Sequence, residues 1–482
     1  MMAAPSSSAA PFAGRADRRL SRLVPPINAS LELGVNAVNR ILNLCSCVIV
    51  AAALLGGAGL TATAQAQSRR PNLVVILADD LGYGDLGVYG SPLIRTPNLD
   101  RMSAEGVRLD SFYSSANICT PARGGLLTGR YPIRLDLTLD VARPTNDIGI
   151  ADEELTLGEA LQDLGYRTAL FGKWHLGEEP ERSPLRHGFD EFYGLLHSND
   201  MLPLALYRGD QIIEEPVDQT TLTERYTAEA VRFIEENRDD PFLLYLPHTF
   251  PHVPLHVSER FEGQSDAGLY GDVVETLDWS VGEILSALRR LGLDDQTLVV
   301  FTSDNGPWWE GSAGRYRDRK GTAWEGGLRV PFIARWPTVL PAGGVSDQPA
   351  MNIDLFPTLV TLAGGAVPTD RPIDGRDLLP MLRDGAPSPH EALFLFDRDR
   401  IAGVRSGQWK LVVESRYQAA VTRLDHPQSY YGPGLLFDLQ RDPSETYSYA
   451  REHPDVVTRL RQLLEQAQED LGATVPEQMW NR

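Results

Sequence analysis

Four stretches of the chain run apolar and then stop on ionisable side chains: "NLVVILADD" (Asn72–Asp80), "YRTALFGKWH" (Tyr166–His175), "PFLLYLPHTFPH" (Pro241–His252) and "TLVVFTSDNG" (Thr297–Gly306). Unbroken apolar runs of this length predict strands covered on both faces, as in a parallel sheet. The segments between them carry helical periodicity. "GLYGDVVETLDWSVGEILSALRRLG" (Gly268–Gly292) is strongly amphipathic and ends at a glycine, a normal helix stop. Strands alternating with helices predict an α/β fold, a large parallel or mixed sheet sandwiched by helices. Such sheets bind ligands beyond the carboxyl ends of their strands. All four runs put Asp, Lys, His or Asn at that end.

The pattern changes after about Pro372. "EALFLFDRDRIAGVRSGQWKLVV" (Glu391–Val413) and "GLLFDLQRDPSETYSYA" (Gly434–Ala450) alternate in short runs broken by turn residues, and "PDVVTRLRQLLEQAQEDLG" follows as an amphipathic helix. This predicts a small antiparallel sheet covered by a helix. Three parts are expected: a leader over 1–67, a catalytic domain over 68–372 and a C-terminal α+β subdomain over 373–482.

Charge narrows the partners. The 482-residue chain has a formal net charge of -20, which disfavours nucleic acid, whose phosphates need a basic surface. The first residues read as an export signal. Arg15, Arg18, Arg19, Arg22 and Arg40 precede the apolar run "VIVAAALLGGAGL" (Val48–Leu60), and "TATAQAQS" offers small-residue cleavage sites after Ala64 or Ala66. The run is short for a bilayer span; a retained anchor over 41–60 is the alternative. Cleavage would remove Cys45 and Cys47 and leave Cys119 without a disulfide partner. A lone cysteine in an oxidising compartment is either buried and inert or chemically used.

Its neighbours favour use. "CTPARGGLLTGR" (Cys119–Arg130) resembles the type I sulfatase signature, Cys-x-Pro-x-Arg followed by a Leu-Thr-Gly-Arg helix. "VVILADDLGYGDLGVYG", "GKWHLG", "HGFDEFYG", "TSDNGP", "KGTAWEGGLRVP", "GQWKLV" and "LFDLQRDPSE" are similar to further blocks of that family, in the same order. The resemblance, arylsulfatase A-like, implies an alkaline phosphatase-like fold. It implies that Cys119 is oxidised during export to Cα-formylglycine by a maturation enzyme that reads Pro121 and Arg123. The hydrated aldehyde attacks a sulfate ester, and its second hydroxyl then expels sulfate.

The resemblance also assigns the site. Asp79, Asp80, Asp304 and Asn305, with the modified Cys119, would hold a divalent metal. Their oxygens favour Ca²⁺, with Mg²⁺ second, although each acidic pair alone also suits a turn or cap. Arg123, Lys173 and Lys320 would offset sulfate charge, and the start of a helix at Cys119 adds a favourable dipole. His175 would lie beside the formylglycine. His252, in the His-x-Pro context, would protonate the leaving alcohol. His248 reads as structural: prolines 247, 251 and 254 forbid a helix that would align His248, His252 and His256 on zinc. Ser198 in "GLLHSND" is the position matching a sulfate-contacting serine. His187 and His197 receive no role, although His197 could line the pocket.

Two other functions remain open from sequence. One is a phosphate or phosphonate ester hydrolase of the same superfamily. The other is a silent binder of sulfated glycans, which would not need a nucleophile. The substrate alcohol is expected to meet loops 178–225 and 307–318. "RYRDRK" (Arg315–Lys320) is locally basic and suits either steering of an anionic glycan or a solvated loop.

Overall fold

The computed structural model describes residues 70–416 and 429–473. The expected leader and its cleavage sites at Ala64 and Ala66 lie outside the described residues, as do Cys45 and Cys47. Among the described residues, no helix is long and apolar enough to cross a membrane.

In chain order the strands are β1 (Asn72–Ala78), β2 (Val107–Leu109), β3 (Phe112–Tyr113), β4 (Arg167–Lys173), β5 (Glu191–Leu195), β6 (Leu206–Arg208), β7 (Gln211–Glu214), β8 (Phe242–Pro247), β9 (Thr297–Ser303), β10 (Phe332–Arg335), β11 (Gly344–Ser346), β12 (Ala350–Met351), β13 (Leu393–Asp397), β14 (Arg400–Ser406), β15 (Trp409–Arg416) and β16 (Ser429–Asp438). Ten of them form one mixed sheet in the order β11-β2-β10-β9-β1-β8-β4-β5-β6-β7. Its centre, β9-β1-β8-β4-β5, is wholly parallel. The four apolar runs are thus four adjacent strands, β9, β1, β8 and β4, and their carboxyl ends share one edge.

Both faces of the centre are covered, which explains why these runs do not alternate with polar residues. Leu73, Val75 and Leu77 of β1 pack on one face with Leu126 and Leu127 of the Cys119–Thr128 helix and Phe356 of the Leu355–Leu362 helix. Val74 and Ile76 pack on the other with Phe233 of the Leu222–Glu236 helix and Ile284 of the Gly268–Arg290 helix. Just before the site end of β4, Gly172 has φ +134°, and a Cβ there would lie 1.9 Å from the Pro247 carbonyl of β8. Only glycine satisfies both conditions.

The chain after 390 builds a four-stranded antiparallel sheet, β13-β14-β15-β16, packed against the Pro454–Leu471 helix through Leu460 and Leu464. Its apolar face merges with Tyr113, Leu328, Met351 and Ile353 of the larger part. A buried ionic cluster crosses the same seam. Lys410 Nζ on β15 lies 3.0 Å from Glu325 Oε1 and 2.7 Å from Glu445 Oε1, all three side chains being fully buried. It also donates to the Ala323 carbonyl at 3.0 Å. Burial pushes Glu445 up to about 7 against the pull of Lys410. Glu325, despite burial, is held down to about 2 by Lys410 and Arg329. Deleting one partner of such a cluster strands the others in low dielectric. Lys410→Met should therefore lower the unfolding free energy by about 3–5 kcal/mol, read as a lower urea midpoint at unchanged slope. A loss below ~1 kcal/mol would place this cluster with ordinary surface pairs.

Candidate active site

The site lies at the shared carboxyl edge. Asp79 and Asp80 follow β1, Lys173 ends β4 and precedes His175, His248 and His252 follow β8, and Asp304 and Asn305 follow β9. Two of these residues leave their strands in left-handed backbone conformations, Asp80 with φ 66° and His175 with φ 62°. Neither is glycine, so the turns carry strain of about 1–3 kcal/mol each. The packing around them holds the side chains toward one point.

That point is Cys119, the first residue of the Cys119–Thr128 helix and a free, buried cysteine. Its Sγ lies 3.4 Å from Asp79 Oδ1, 3.8 Å from Asp80 Oδ1 and 3.2 Å from Lys320 Nζ. Burial pushes the thiol well up, against the pull of Lys173 and Lys320, so the unmodified side chain is a neutral thiol. The Lys320 loop is tied to the turn before the helix by Gly321 N–H donating to the Asn117 carbonyl at 2.9 Å.

Around the sulfur, cations and carboxylates interlock. Lys173 Nζ donates to Asp79 Oδ2 and, at 3.1 Å, to Ser198 Oγ. Lys320 Nζ donates to Asp80 Oδ2 at 2.8 Å. Arg123, fully buried, reaches Asp304 Oδ2 through Nε at 3.1 Å and through a terminal nitrogen at 2.9 Å. It also donates to the Lys173 carbonyl at 2.7 Å. Arg123 is therefore braced beneath the site and does not line the pocket, unlike Lys320.

The donor set fits a hard divalent cation. One ligand atom each from Asp79, Asp80, Cys119 and Asp304 lies within 4.8 Å of the others. Asn305 Nδ2 donates to Asp80 Oδ1 at 2.7 Å and to the Gly306 carbonyl at 2.9 Å, which aims Oδ1 elsewhere. That oxygen is buried with no protein partner, as expected of an acceptor reserved for a cation. Asp304 is pushed up by burial and by neighbouring Asp79, a repulsion that a shared cation relieves. Oxygen donors in this number suit Ca²⁺ or Mg²⁺ better than zinc.

The histidines separate by position. His175 Nε2 lies 3.0 Å from the Ala142 carbonyl, which can only accept, so Nε2 carries the proton and Nδ1 is a free lone pair. Burial, then Lys173 and Arg123, push its pKa well below the usual value. His252 donates Nδ1–H to the Val253 carbonyl at 2.6 Å and turns Nε2 toward Asp80 Oδ2 at 3.7 Å. Both rings line the pocket above Cys119. His248 does not: it is buried behind the site, 3.3 Å from Ser280 Oγ and 6.4 Å from the Tyr226 ring. His187 stacks on Trp174 and approaches Glu159 at 3.8 Å, away from Cys119. His197 donates locally to the Ser198 carbonyl at 3.1 Å.

Several contributors carry no sequence signal. Thr120 Oγ1 donates to the His175 carbonyl at 2.8 Å and accepts from Ala142 N–H at 3.0 Å, tying three separate segments together. The pocket walls add Asp140, Val141, Arg143, Asp200, Met201 and Trp308. Asp200, Met201 and Trp308 lie on the loops 178–225 and 307–318 expected to meet the alcohol, whereas Asp140, Val141 and Arg143 come from an irregular segment that neither periodicity nor spacing marks. The basic run resolves differently for each residue. Arg317 lies 3.8 Å over the Trp324 ring and donates to the Glu445 carbonyl, Arg319 donates to the Trp308 carbonyl, and only Lys320 enters the site.

Comparison with known proteins gives the family of the chain. Residues 71–366 match the sulfatase family, and residues 388–482 match the C-terminal region of aryl-sulfatase. The chain is 38% identical to N-acetylgalactosamine-6-sulfatase of Canis lupus familiaris over 475 residues, covering 88% of this chain and 90% of that protein. It is 37% identical to human arylsulfatase A over 458 residues, covering 85% and 90%. Its fold superimposes on a crystal structure of a Pseudoalteromonas sulfatase with a TM-score of 0.76 at 29% identity, covering 86% of this chain and 94% of that one. With the family matched across most of the described chain and the large sheet, small sheet and cysteine-centred site all in place, this protein belongs to the sulfatases, sulfuric ester hydrolases of alkaline phosphatase-like fold.

Proposed function

We propose that the chain hydrolyses sulfate monoesters to an alcohol and inorganic sulfate with Cys119 matured to formylglycine and Ca²⁺ held by Asp79, Asp80, Asp304 and Asn305. The observation that carries this reading is the placement of Cys119 Sγ, 3.4 Å from a carboxylate of the metal-type cluster and 3.2 Å from Lys320 Nζ on the pocket floor. A bound divalent cation would supply positive charge to polarise the nucleophile and a sulfate oxygen. The matured side chain would supply the hydroxyl that attacks sulfur.

The remaining chemistry belongs to this chain's own groups. Lys320 reaches the nucleophile position, and the same ammonium is placed to meet an incoming sulfonyl oxygen. Lys173, anchored on Asp79, presents its charge beside Ser198 at the pocket wall. Arg123 fixes Asp304 from below, so the carboxylate does not rotate when substrate charge arrives. His175 Nδ1, unprotonated, is placed to accept a proton from the nucleophile's second hydroxyl. His252 Nε2, its orientation set by the Nδ1 bond, is placed to give a proton to the departing alcohol oxygen. The leader over 1–67 with cleavage near Ala64 or Ala66 fits export, and a maturation enzyme acting on Cys119 completes the scheme.

The test of this assignment compares two histidines. His252→Ala should lower kcat by roughly 10²–10⁴-fold on an alkyl or sugar sulfate. The loss should be much smaller on 4-nitrophenyl sulfate, whose leaving group needs no proton. His248→Ala should change kcat by less than about tenfold on both, since its ring only packs behind the site. The reverse order would assign the acid to His248.

A further inference from the structure

A second cavity opens at the seam between the large and small sheets. Its volume is about 450 Å³, within the range of ligand cavities. None of its lining residues lines the pocket above Cys119. Asp110 and Ser111 come from the link between β2 and β3, and Asp347 follows β11. Arg315 and Arg329 also belong to the larger part, whereas Arg405 stands on β14 of the small sheet.

The buried side chains at the floor are donors. Arg405 is 5% exposed, yet its partners are all neutral: the Gly407 carbonyl at 3.2 Å, Tyr113 Oη, and Ser111 Oγ at 3.2 Å. Tyr113 Oη itself donates to Glu325 Oε2 at 2.6 Å, so it accepts from Arg405. Arg329, also buried, donates to the Asp110 carbonyl at 2.7 Å, to Glu325 Oε2 at 2.9 Å and to Ser111 Oγ at 2.7 Å. A guanidinium carries five N–H groups, so both arginines keep N–H groups that no protein acceptor uses. Ser111 Oγ receives both arginines, which occupies its two lone pairs and leaves its hydroxyl proton to be donated. Among the described residues nothing accepts that proton.

Charge points the same way. The lining holds three cations, Arg315, Arg329 and Arg405, against two carboxylates, Asp110 and Asp347. The groups in contact with them balance: Arg108 pairs with Asp110 at 2.7 Å, and Lys410 joins Glu325 and Glu445 behind Arg329. One positive charge is left over, in a chain whose net charge is -20. Arg405 is the buried member without a carboxylate partner. An unpaired charge in low dielectric is costly, and an anion in the cavity would offset that cost.

We infer that this cavity binds a small tetrahedral oxyanion. Arg405, Arg329 and Ser111 donate to it from the floor, and Arg315 meets it at the exposed rim. Two guanidiniums and a hydroxyl on three separate segments approach from different directions. Such donors suit oxygens spread tetrahedrally better than the flat edge of one carboxylate. The shared chemistry is that of a sulfate group, either the free ion or an ester. This site is separate from the catalytic one, and binding there links Arg405 of the small sheet to Ser111 of the larger part.

The experiment uses the matured, calcium-loaded enzyme and radiolabelled inorganic sulfate in equilibrium dialysis at fixed ionic strength. Wild type should bind two sulfates per chain, one at the catalytic site and one at the seam. Arg405→Gln should bind one, while sulfate inhibits its turnover with a KI within twofold of wild type. Because Arg405 also holds the seam together, a second variant guards the result. Arg315→Ala alters only the rim. It should leave the sulfate-free thermal midpoint unchanged and raise the Kd of the seam sulfate at least threefold. Acetate should displace the seam label at least tenfold less well than phosphate. In Cys119→Ala, displacement by methyl sulfate as readily as by inorganic sulfate assigns the site to ester groups, and displacement by inorganic sulfate alone assigns it to the free ion. One sulfate per wild-type chain, or a seam sulfate held equally well by both arginine variants, overturns the inference. Acetate that competes as well as phosphate overturns the tetrahedral assignment. These binding counts need no turnover, so the sulfatase reading stands or falls separately, on release of sulfate from an ester.

Discussion

Cys119→Ala should fold normally and lose sulfate release by about 10⁵–10⁶-fold in kcat, the order expected when a nucleophile is deleted. Active wild-type protein should carry at position 119 a side chain that has lost sulfur and gained an aldehyde, detectable in a tryptic peptide and reactive toward a hydrazine probe. A thiol-alkylating reagent should leave its activity unchanged. The competing mechanism, a cysteine nucleophile activated by its helix N-terminus, predicts the opposite on each count. The structure adds a condition on timing. Cys119 is 1% exposed and Arg123 fully buried, and Pro121 is buried with them. A maturation enzyme that reads these residues must act before the chain folds. Folded, unmodified protein incubated with such an enzyme should therefore stay inactive, whereas the same protein refolded in its presence should gain aldehyde and turnover together. Fully active protein that retains a thiol at 119 would disprove the mechanism.

Much of the scaffold is legible in the sequence because its signals are local. The β1 run is unbroken from Leu73 to Ala78 because alternate residues enter two different cores, and a doubly covered strand has no face left for polar residues. The Gly268–Arg290 helix is legible because, although most of it is buried, a polar-rich stripe at Glu275, Trp279, Glu283, Ser286 and Arg290 recurs at helical spacing and stays at the surface. The gathering of Asp79, Lys173, His252 and Asp304 is legible for a related reason: each sits at or just beyond the carboxyl end of a strand, and the parallel centre of the sheet brings those ends together. What sequence does not convey is how a side chain reaches its partner. Arg123, one turn along the helix from Cys119, points to Asp304 and the Lys173 carbonyl rather than into the pocket. That choice depends on where the β9 turn brings Asp304. Trp308 and Asp200 lie on loops more than 100 residues apart in sequence order. Their meeting across one cavity is a property of the assembled fold.

Removing the metal should abolish turnover, and Ca²⁺ or Mg²⁺ should restore it. The argument is one of charge. Asp79, Asp80 and Asp304 carry three negative charges, and Arg123, Lys173 and Lys320 carry three positive ones in direct contact with them. The protein alone therefore presents a neutral site to an anionic ester. A divalent cation among the carboxylates leaves two net positive charges, enough to hold the ester and the further charge that develops on its bridging oxygen. Two variants separate metal binding from scaffold damage. Asp304→Ala removes a ligand and also strands the buried Arg123, so it should lose metal, turnover and about 3–5 kcal/mol of stability. Asn305→Ala removes the partnerless Oδ1 while leaving every ion pair in place. It also removes the Nδ2 bonds to Asp80 and the Gly306 carbonyl, so it should weaken Ca²⁺ at least tenfold and cost about 1–3 kcal/mol of metal-free stability, less than Asp304→Ala. The measurement besides activity is the thermal midpoint as a function of Ca²⁺. Binding to the folded state alone stabilises by about 4.1 kcal/mol at a thousandfold excess over Kd, and the Asn305→Ala curve should shift to higher Ca²⁺. If purified active protein instead contains stoichiometric zinc that Ca²⁺ cannot replace, the oxygen-donor assignment of Asp79, Asp80, Asp304 and Asn305 is wrong.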